Sequence, residues 1–456
     1  MWTRLCILFG VTQLVAACNN HCDQYKNEGC DDGQACEAAQ GGGDPICATE
    51  LVVLGRVFDL NSNAGIAGAT VVALDANGSA VSYIAVTDSA GNYELQVPTP
   101  RNADGSPSTS YEITLRADSS GYVTFPSGIR QALPFSTANP TMRNNRYEIQ
   151  LPLTDIGLLP LPPGGPATGT IHGNVQGNDN HASVLVVAEV GAKGYTAMAG
   201  RDGNYTIFNV PVGTATVAAY AVGYNYERGM SDVIAGESVE VNLDLIDDRA
   251  SVVSGSVNIV NRQAGEATSV IFVLESTFDT TLLRGVSPPG LRAPEPGMPP
   301  NIENTFSVAG VPAGRYVILA AFENDSLVRD ESDIGGTAIV HQEIVAGQDV
   351  AVADAFKVTG AVDLVRPGAN GIEMITGVPT FEWVDDSSED RYAVTVFDAY
   401  GNIIWETGTP KSIVTLPYAG PALSSGMYYQ YRVSSIKDPS TVISKSEDLK
   451  GVFFLP

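Results

Sequence analysis

Residues 202–213 read DGNYTIFNVPVG. The opening Asp-Gly-Asn admits three readings: a calcium loop, a catalytic carboxylate on a tight turn, or a bend between two strands. Two other stretches choose between them. Residues 87–95 read TDSAGNYEL, and residues 304–316 read NTFSVAGVPAGRY. A turn, an aromatic residue and alternating apolar positions persist in all three, whereas the third copy has no aspartate. The architecture therefore does not require that carboxylate, and the bend is the better reading. Glycine supplies the positive φ of the turn. Tyr205, Ile207 and, after a slip in the alternation, Val210 are expected to face a core.

The matches extend outward into a repeat of roughly 100 residues. Gly55-Arg56-Val57, Gly173-Asn174-Val175 and Gly255-Ser256-Val257 open the units, and Val-rich runs follow. IAGESVEVNL from Ile234 and VAGQDVAVAD from Val345 close the second and third units. Throughout, short runs rich in Val, Ile, Thr and Tyr alternate with Gly, Asn, Asp and Pro, without helical periodicity. This is the pattern of an all-β chain of tandem β-sandwiches.

The G-x-V entry, the T-D-x-x-G-x-Y-x-L stretch at Thr87 and the V-P-x-G hairpin at Val210 resemble the carboxypeptidase regulatory-like domain. The resemblance implies a transthyretin-like sandwich of about seven strands, a carbohydrate-binding-like fold. The third unit departs from the pattern: it has lost the Asp-Gly turn and carries RGVSPPGLRAPEPGMPPNIEN from Arg284. The last hundred residues differ. Trp383 in PTFEWV, a hairpin turning at Asp398–Asn402, and Leu423 six residues before Tyr429 resemble a fibronectin type III-like sandwich. That likeness implies a core indole at Trp383 and a Tyr429 hydroxyl bonded back to the backbone.

The expected organisation is a signal at 1–17, a Cys-rich stalk at 18–50, and sandwiches at 51–157, 169–248, 249–358 and 359–456. A Pro/Gly spacer at 158–168 separates the first two. The beginning of the chain reads as a lipoprotein signal. Arg4 precedes a short apolar run, and Val15-Ala16-Ala17-Cys18 resembles a bacterial lipobox. That likeness implies a lipidated Cys18 and a membrane anchor. With Asn19 next, it also implies the outer membrane of a Gram-negative cell. Cys22, Cys30, Cys36 and Cys47 crowd one Gly- and Asp-rich segment and read as two disulfides, with three pairings open. A zinc knot with His21 competes, but the spacing lacks C-x2-C pairs.

A net charge of −26 disfavours nucleic-acid partners. His21, His172, His181 and His341 fall in separate segments, and no zinc-protease, nucleophile-elbow or phosphate-loop motif occurs. Asp385-Asp386 and Asp247-Asp248 lack an evident glycosidase cleft. Asp59–Gly65 resembles the start of an EF-hand loop but has Ala64 where glycine is required. No cofactor is expected, and weak Ca²⁺ binding at acidic turns is the one ion contact left open. Tyr220, Tyr224 and Tyr226 could stack on a glycan, although the Gly223-Tyr224 pair matches Gly121-Tyr122 and so reads first as packing. The expectation is a non-enzymatic, lipid-anchored envelope protein. Its stalk lifts outward-projecting sandwiches that bind a glycan or an envelope protein. The alternatives are a structural scaffold and an accessory subunit of a secreted hydrolase.

Overall fold

The computed structural model describes residues 22–456 except 24–27, 38–43, 103–104, 109–110, 178–182, 296–297, 323–324, 331–337 and 387. Cys18, His21 and His181 lie outside the described residues. Those residues form strands and short 3-10 turns, with no α-helix among them. The chain is all-β, built as tandem sandwiches.

One wiring occurs three times. The entry strand Leu51–Asp59 pairs antiparallel with Asn92–Gln96 and parallel with Arg146–Ile149 and Ile156–Pro160. Thr168–Asn174 pairs antiparallel with Asn204–Pro211 and parallel with Ser238–Glu240. Ser251–Ile259 does the same with Thr305–Val311 and Val350–Gly360. Each entry sheet faces a four-stranded sheet of fixed order. In the first sandwich the order is Ala85–Val86, Thr70–Leu74, Glu112–Asp118, Phe135–Ser136. In the second it is Lys193–Met198, Leu185–Val190, Gly213–Tyr220, Gly229–Val233. In the third it is Arg292–Ala293, Val270–Leu274, Gly314–Ala320, Val340–Ile344.

The entry glycine is explained by what crosses it. Gly55 lies opposite Tyr93, Gly173 opposite Tyr205 and Gly255 opposite Phe306. A Cβ at Gly55 would sit 2.0 Å from the Thr154 carbonyl oxygen, and one at Gly173 1.9 Å from that of Val241. At Gly255 it would meet the Phe306 ring at 2.6 Å. The aromatic ring lies over the bare backbone and shields it, as aromatics do beside strand glycines. The Tyr93 hydroxyl continues across to donate to Thr154 O at 2.7 Å, and that of Tyr205 donates to Val241 O at 2.5 Å. One glycine–tyrosine pair thus fastens the entry strand, its antiparallel neighbour and the closing segment. Phe306 fills the same place without the hydroxyl.

The fourth sandwich is wired differently. Leu364–Arg366, Thr380–Trp383 and Thr415–Pro417 face a larger sheet centred on Met427–Lys437 and Arg391–Asp398. Trp383 is 2% exposed and meets the Tyr392 ring edge-on at 5.4 Å. The Tyr429 hydroxyl accepts the Ser424 N–H at 2.8 Å.

At the other end, Gln34–Glu37 and Ile46–Thr49 form a hairpin clamped by Cys22–Cys36 and Cys30–Cys47. These bonds consume all four thiols, which excludes the zinc knot. The hairpin does not stand off as a stalk. Buried Glu37 accepts from Arg101 Nε and Nη2 at 2.6 and 2.5 Å, fixing it to the first sandwich.

The sandwiches do not project separately. Alternate residues of Leu185–Val190 point two ways. Val186 and Ala188 enter the core of their own sandwich, while Leu185 and Val187 join a cluster with Val72 and Leu74 of the first and the core of the third. These four of the strand's six residues are fully buried. Burying a Val or Leu contributes about 1.5–3 kcal/mol, so the two-sided sheet is an adhesive between neighbours. The Pro/Gly segment is a shorter link than expected, exposed and outside any strand over 161–167. Leu158 and Leu159 are 0% and 1% exposed within Ile156–Pro160, and Thr168 already begins the next entry strand.

Replacing Gly173 by alanine is expected to cost about 3 kcal/mol or more, because the methyl group meets backbone that cannot move aside. Tyr205→Phe should cost only about 1 kcal/mol, the net value of one hydrogen bond. Urea midpoints of the two variants check the order.

Candidate functional site

The acidic turns are self-contained. Asp202 Oδ1 accepts the Asn204 N–H at 3.2 Å, its Oδ2 accepts Asn204 Nδ2 at 2.5 Å, and Gly203 takes φ +80°. Asp88 Oδ1 accepts the N–H groups of Ala90 and Asn92, both at 2.8 Å. Asp398 accepts Tyr400 and Asn402 N–H in the same way at 2.9 Å. Hydrogen bonding from the Asn92 and Ala90 amides holds the Asp88 carboxyl below its ordinary value. In the EF-hand-like stretch, Asp59 Oδ1 serves Asn61 and Ser62 N–H, and its Oδ2 accepts the Tyr122 hydroxyl. Each carboxylate shapes its own loop. Among the described residues, the one cluster with metal-ligand geometry is Cys22, Cys30 and Cys47, whose sulfurs are already in disulfides.

The glycan-stacking platform left open for Tyr220, Tyr224 and Tyr226 does not form; packing, the reading placed first, accounts for two of the three. Tyr220 is 3% exposed and packs edge-on against Tyr316 of the third sandwich at 6.2 Å. Tyr226 is also buried, on a short strand paired with Leu245–Ile246. Only Tyr224, at 40% exposure, reaches solvent.

The turn carrying Tyr224 belongs to a joint. Gly223 N–H donates to Gly310 O of the third sandwich at 2.8 Å. One step earlier, the Gly121-Tyr122 turn of the first sandwich receives Asn209 of the second. Gly121 N–H donates to Asn209 Oδ1 at 2.7 Å, and Asn209 Nδ2 donates to Ser119 O and Tyr122 O, both at 2.9 Å. Asn209 and Gly310 occupy the same place, the residue before Val-Pro, with φ +60° and +73°. At that place the entry-strand register shifts in the second and third sandwiches but not in the first. The bulge is thus present in the two sandwiches of this wiring that dock onto a predecessor. The sequence carried this signal as the slip between Ile207 and Val210, but nothing in it said that the extra residue reached a neighbour.

A cleft of about 520 Å³ opens between the second and third sandwiches, lined by Tyr226, Arg228, Asp248, Arg315 and Glu343 among others. On its wall, buried Asn225 is committed to the joint. Its Oδ1 accepts Ala313 N–H at 2.7 Å, and its Nδ2 donates to Asp248 O at 3.0 Å. Arg315 pairs with Glu275 at 2.5 Å, which also meets His341 Nδ1 at 2.6 Å. Partial burial would raise the Glu275 carboxyl, but His341 and Arg315 outweigh it and hold the group below its ordinary value. His172 meets Ser238 Oγ instead, so the structure does not bring these two histidines together. Asp385 accepts the Tyr392 hydroxyl and Asp386 the Ser435 hydroxyl, so both carboxylates brace the fourth sandwich.

No protein-family model matches the chain, and no curated protein matches it. Solved structures share its strand-rich character only. The TIE protein of Bacillus anthracis is 11% identical over 85% of this chain, which spans 66% of that one, with a TM-score of 0.15. Two B repeat units of the collagen-binding protein of Staphylococcus aureus are 11% identical over 85% of this chain and 94% of theirs, with a TM-score of 0.19. BcpA, the major pilin subunit of Bacillus cereus, is 10% identical over 67% of this chain and 99% of its own, with a TM-score of 0.18. These names say nothing of this chain's role.

The third and fourth sandwiches meet through charge. Ser326 N–H donates to Glu447 Oε1 at 2.8 Å, and Arg329 pairs with Asp448 at 3.1 Å. Beside them, burial pushes the Asp325 carboxyl up to about 6, with nearby Glu447 adding to the rise.

Asn209→Gly keeps the positive φ but removes three hydrogen bonds across the first joint. It should cost roughly 2–3 kcal/mol and split the thermal unfolding trace into separate transitions, as calorimetry would show. Asp325 makes a prediction of opposite sign to an ordinary salt bridge. Its raised value means that its favourable contribution is complete below the unfolded value of 3.8 and is lost as pH rises through about 6. Asp325→Asn should therefore exceed the parent in stability at pH 7, by a margin that shrinks towards pH 4, as urea melts at each pH would show.

Proposed function

We propose that this chain is a non-enzymatic structural element of the cell envelope, a rigid spacer or scaffold held to the membrane through a lipidated Cys18. The observation that carries the reading is the joint. Asn209 and Gly310 lock successive sandwiches, and the middle sandwich buries Leu185, Val187, Ala218 and Tyr220 on the outer face of its four-stranded sheet against its neighbours. Surfaces used this way are withdrawn from ligand binding. With Tyr220 and Tyr226 buried, glycan recognition by the tyrosines loses its support. The acidic turns, committed to their own backbones, offer no converging acid–base pair.

A second reading, binding of a small glycan or a peptide of a partner protein, has one observation in its favour. The cleft of about 520 Å³ has the size of a ligand pocket and a mixed lining that includes Arg228 and Glu343.

Cross-linking in native envelopes tests the scaffold. A protein partner captured in stoichiometric yield is expected, and hydrolysis of an envelope polymer by the purified chain would refute the non-enzymatic reading. For the anchor, Cys18→Ser should move the protein from the detergent phase to the aqueous phase. Equal partition of variant and parent would rule out lipidation.

A further inference from the structure

Arginine forks recur where this chain's parts meet, and carboxylates fill two of them. Arg101 directs Nε and Nη2 at the two oxygens of Glu37, at 2.6 and 2.5 Å. Arg116 directs the same pair of nitrogens at Asp118, at 2.9 and 3.2 Å. These nitrogens are neighbours in the guanidinium plane, with N–H bonds nearly parallel, so they converge on one bidentate acceptor.

Arg284 offers the same fork with nothing in it. Its loop is wedged between the first, third and fourth sandwiches. Leu282 packs in one cluster with Ile129, Leu159, Phe397 and Ala399, and Arg284 Nη1 donates to Gly128 O at 2.7 Å. Although the residue as a whole is part-exposed, its Nε and Nη2 are shielded from solvent and have no partner among the described residues. The surroundings are cationic. Arg329 and Arg432 both pair with Asp448, at 3.1 and 3.0 Å, and Arg432 Nη2 donates to Leu282 O at 3.1 Å. Three guanidinium groups thus face one buried carboxylate, because the neighbouring Glu447 is already paired with Lys450. Leaving buried charged donors unmet is costly, because the desolvation of each goes uncompensated. A water could satisfy N–H groups but would not offset the excess positive charge.

We propose that the Arg284 fork at this three-sandwich junction holds one small monovalent anion, chloride or a carboxylate no larger than formate. The anion accepts from Nε–H and Nη2–H as Glu37 and Asp118 do elsewhere, and it completes the junction electrostatically. Burial, together with the nearby Arg432, pushes Arg284 down to about 9, still charged at neutral pH. A protein of net charge −26 would repel anions from its surface, so the ion is selected by the junction alone. The inference is independent of the scaffold reading.

The test follows the melting temperature of the full chain at fixed ionic strength as the bulky anion of sodium gluconate is replaced by that of sodium chloride or sodium formate. A saturable rise of about 2 °C or more is expected, and it should be absent from Arg284→Met. A parent insensitive to the exchange, or a variant that responds as the parent does, overturns the proposal. Should the variant fail to fold, equilibrium dialysis of the parent against chloride-36 decides. About one ion retained per chain, displaced by formate, supports the site, and no retention above bulk overturns it.

Discussion

A strand glycine beneath an aromatic ring organises the first three sandwiches. The backbone at Gly55 and Gly173 approaches the closing segment so closely that no side chain fits, and the tyrosine opposite spans the gap to bond a carbonyl on that segment. This fixes register, because a slip of one residue would turn the tyrosine to the opposite face. It also sets the parallel closing strand against the entry strand, which gives the entry sheet its depth. The third sandwich keeps the steric half of the device through Gly255 and Phe306 and does without the hydroxyl. Space-filling is therefore the constant part, and the hydrogen bond is an addition to it.

With register fixed, the pleat decides what each sheet shows its neighbours. Val186 and Ala188 of Leu185–Val190 enter the sandwich core, and Leu185 and Val187 between them are apolar as well, so this part of the sheet is sticky on both faces. An isolated sandwich of this kind would expose a broad apolar surface. Docking is consequently part of folding. The bulged residue before Val-Pro directs it by reaching a Gly-Tyr turn on the preceding sandwich. The first sandwich has no bulge there, and Glu37 of the disulfide hairpin pairs instead with Arg101, three residues beyond its own Val97-Pro98.

How much of this could be read from the sequence follows from the range of each interaction. The alternation of Tyr205, Ile207 and Val210, the turn glycines and the crowding of four cysteines are local, and all three were legible. So was the Leu423–Tyr429 spacing, whose hydroxyl meets Ser424 only five residues away. The pairing of the cysteines, the burial of Tyr220 and the role of Asn209 depend on groups 14 to 96 residues distant. Nothing in a local pattern distinguishes a tyrosine that faces solvent from one that faces the next sandwich. The first bound of the Pro- and Gly-rich stretch from Leu158 was hidden for the same reason. Its composition reads as a spacer, while its first residues are apolar and complete the preceding core.

The distribution of charge ties these levels together. The chain carries 51 acidic and 25 basic residues, so like-charged sandwiches must be held together against their own repulsion. Apolar faces supply attraction without direction. Direction comes from arginines: Arg101 to the hairpin, Arg116 to Thr196 of the second sandwich, Arg329 of the third to Asp448 of the fourth, and Arg432 of the fourth to Leu282 O of the third. Arginine suits these places because its planar fork keeps its charge when buried and fixes angle as well as distance, which a lysine would not do. The repulsion acts between exposed carboxylates and is screened by salt over about 8–10 Å, whereas the buried forks are screened much less. Raising ionic strength therefore removes the opposing force and leaves the attractive one, so the compact arrangement tightens under conditions that loosen ordinary surface salt bridges.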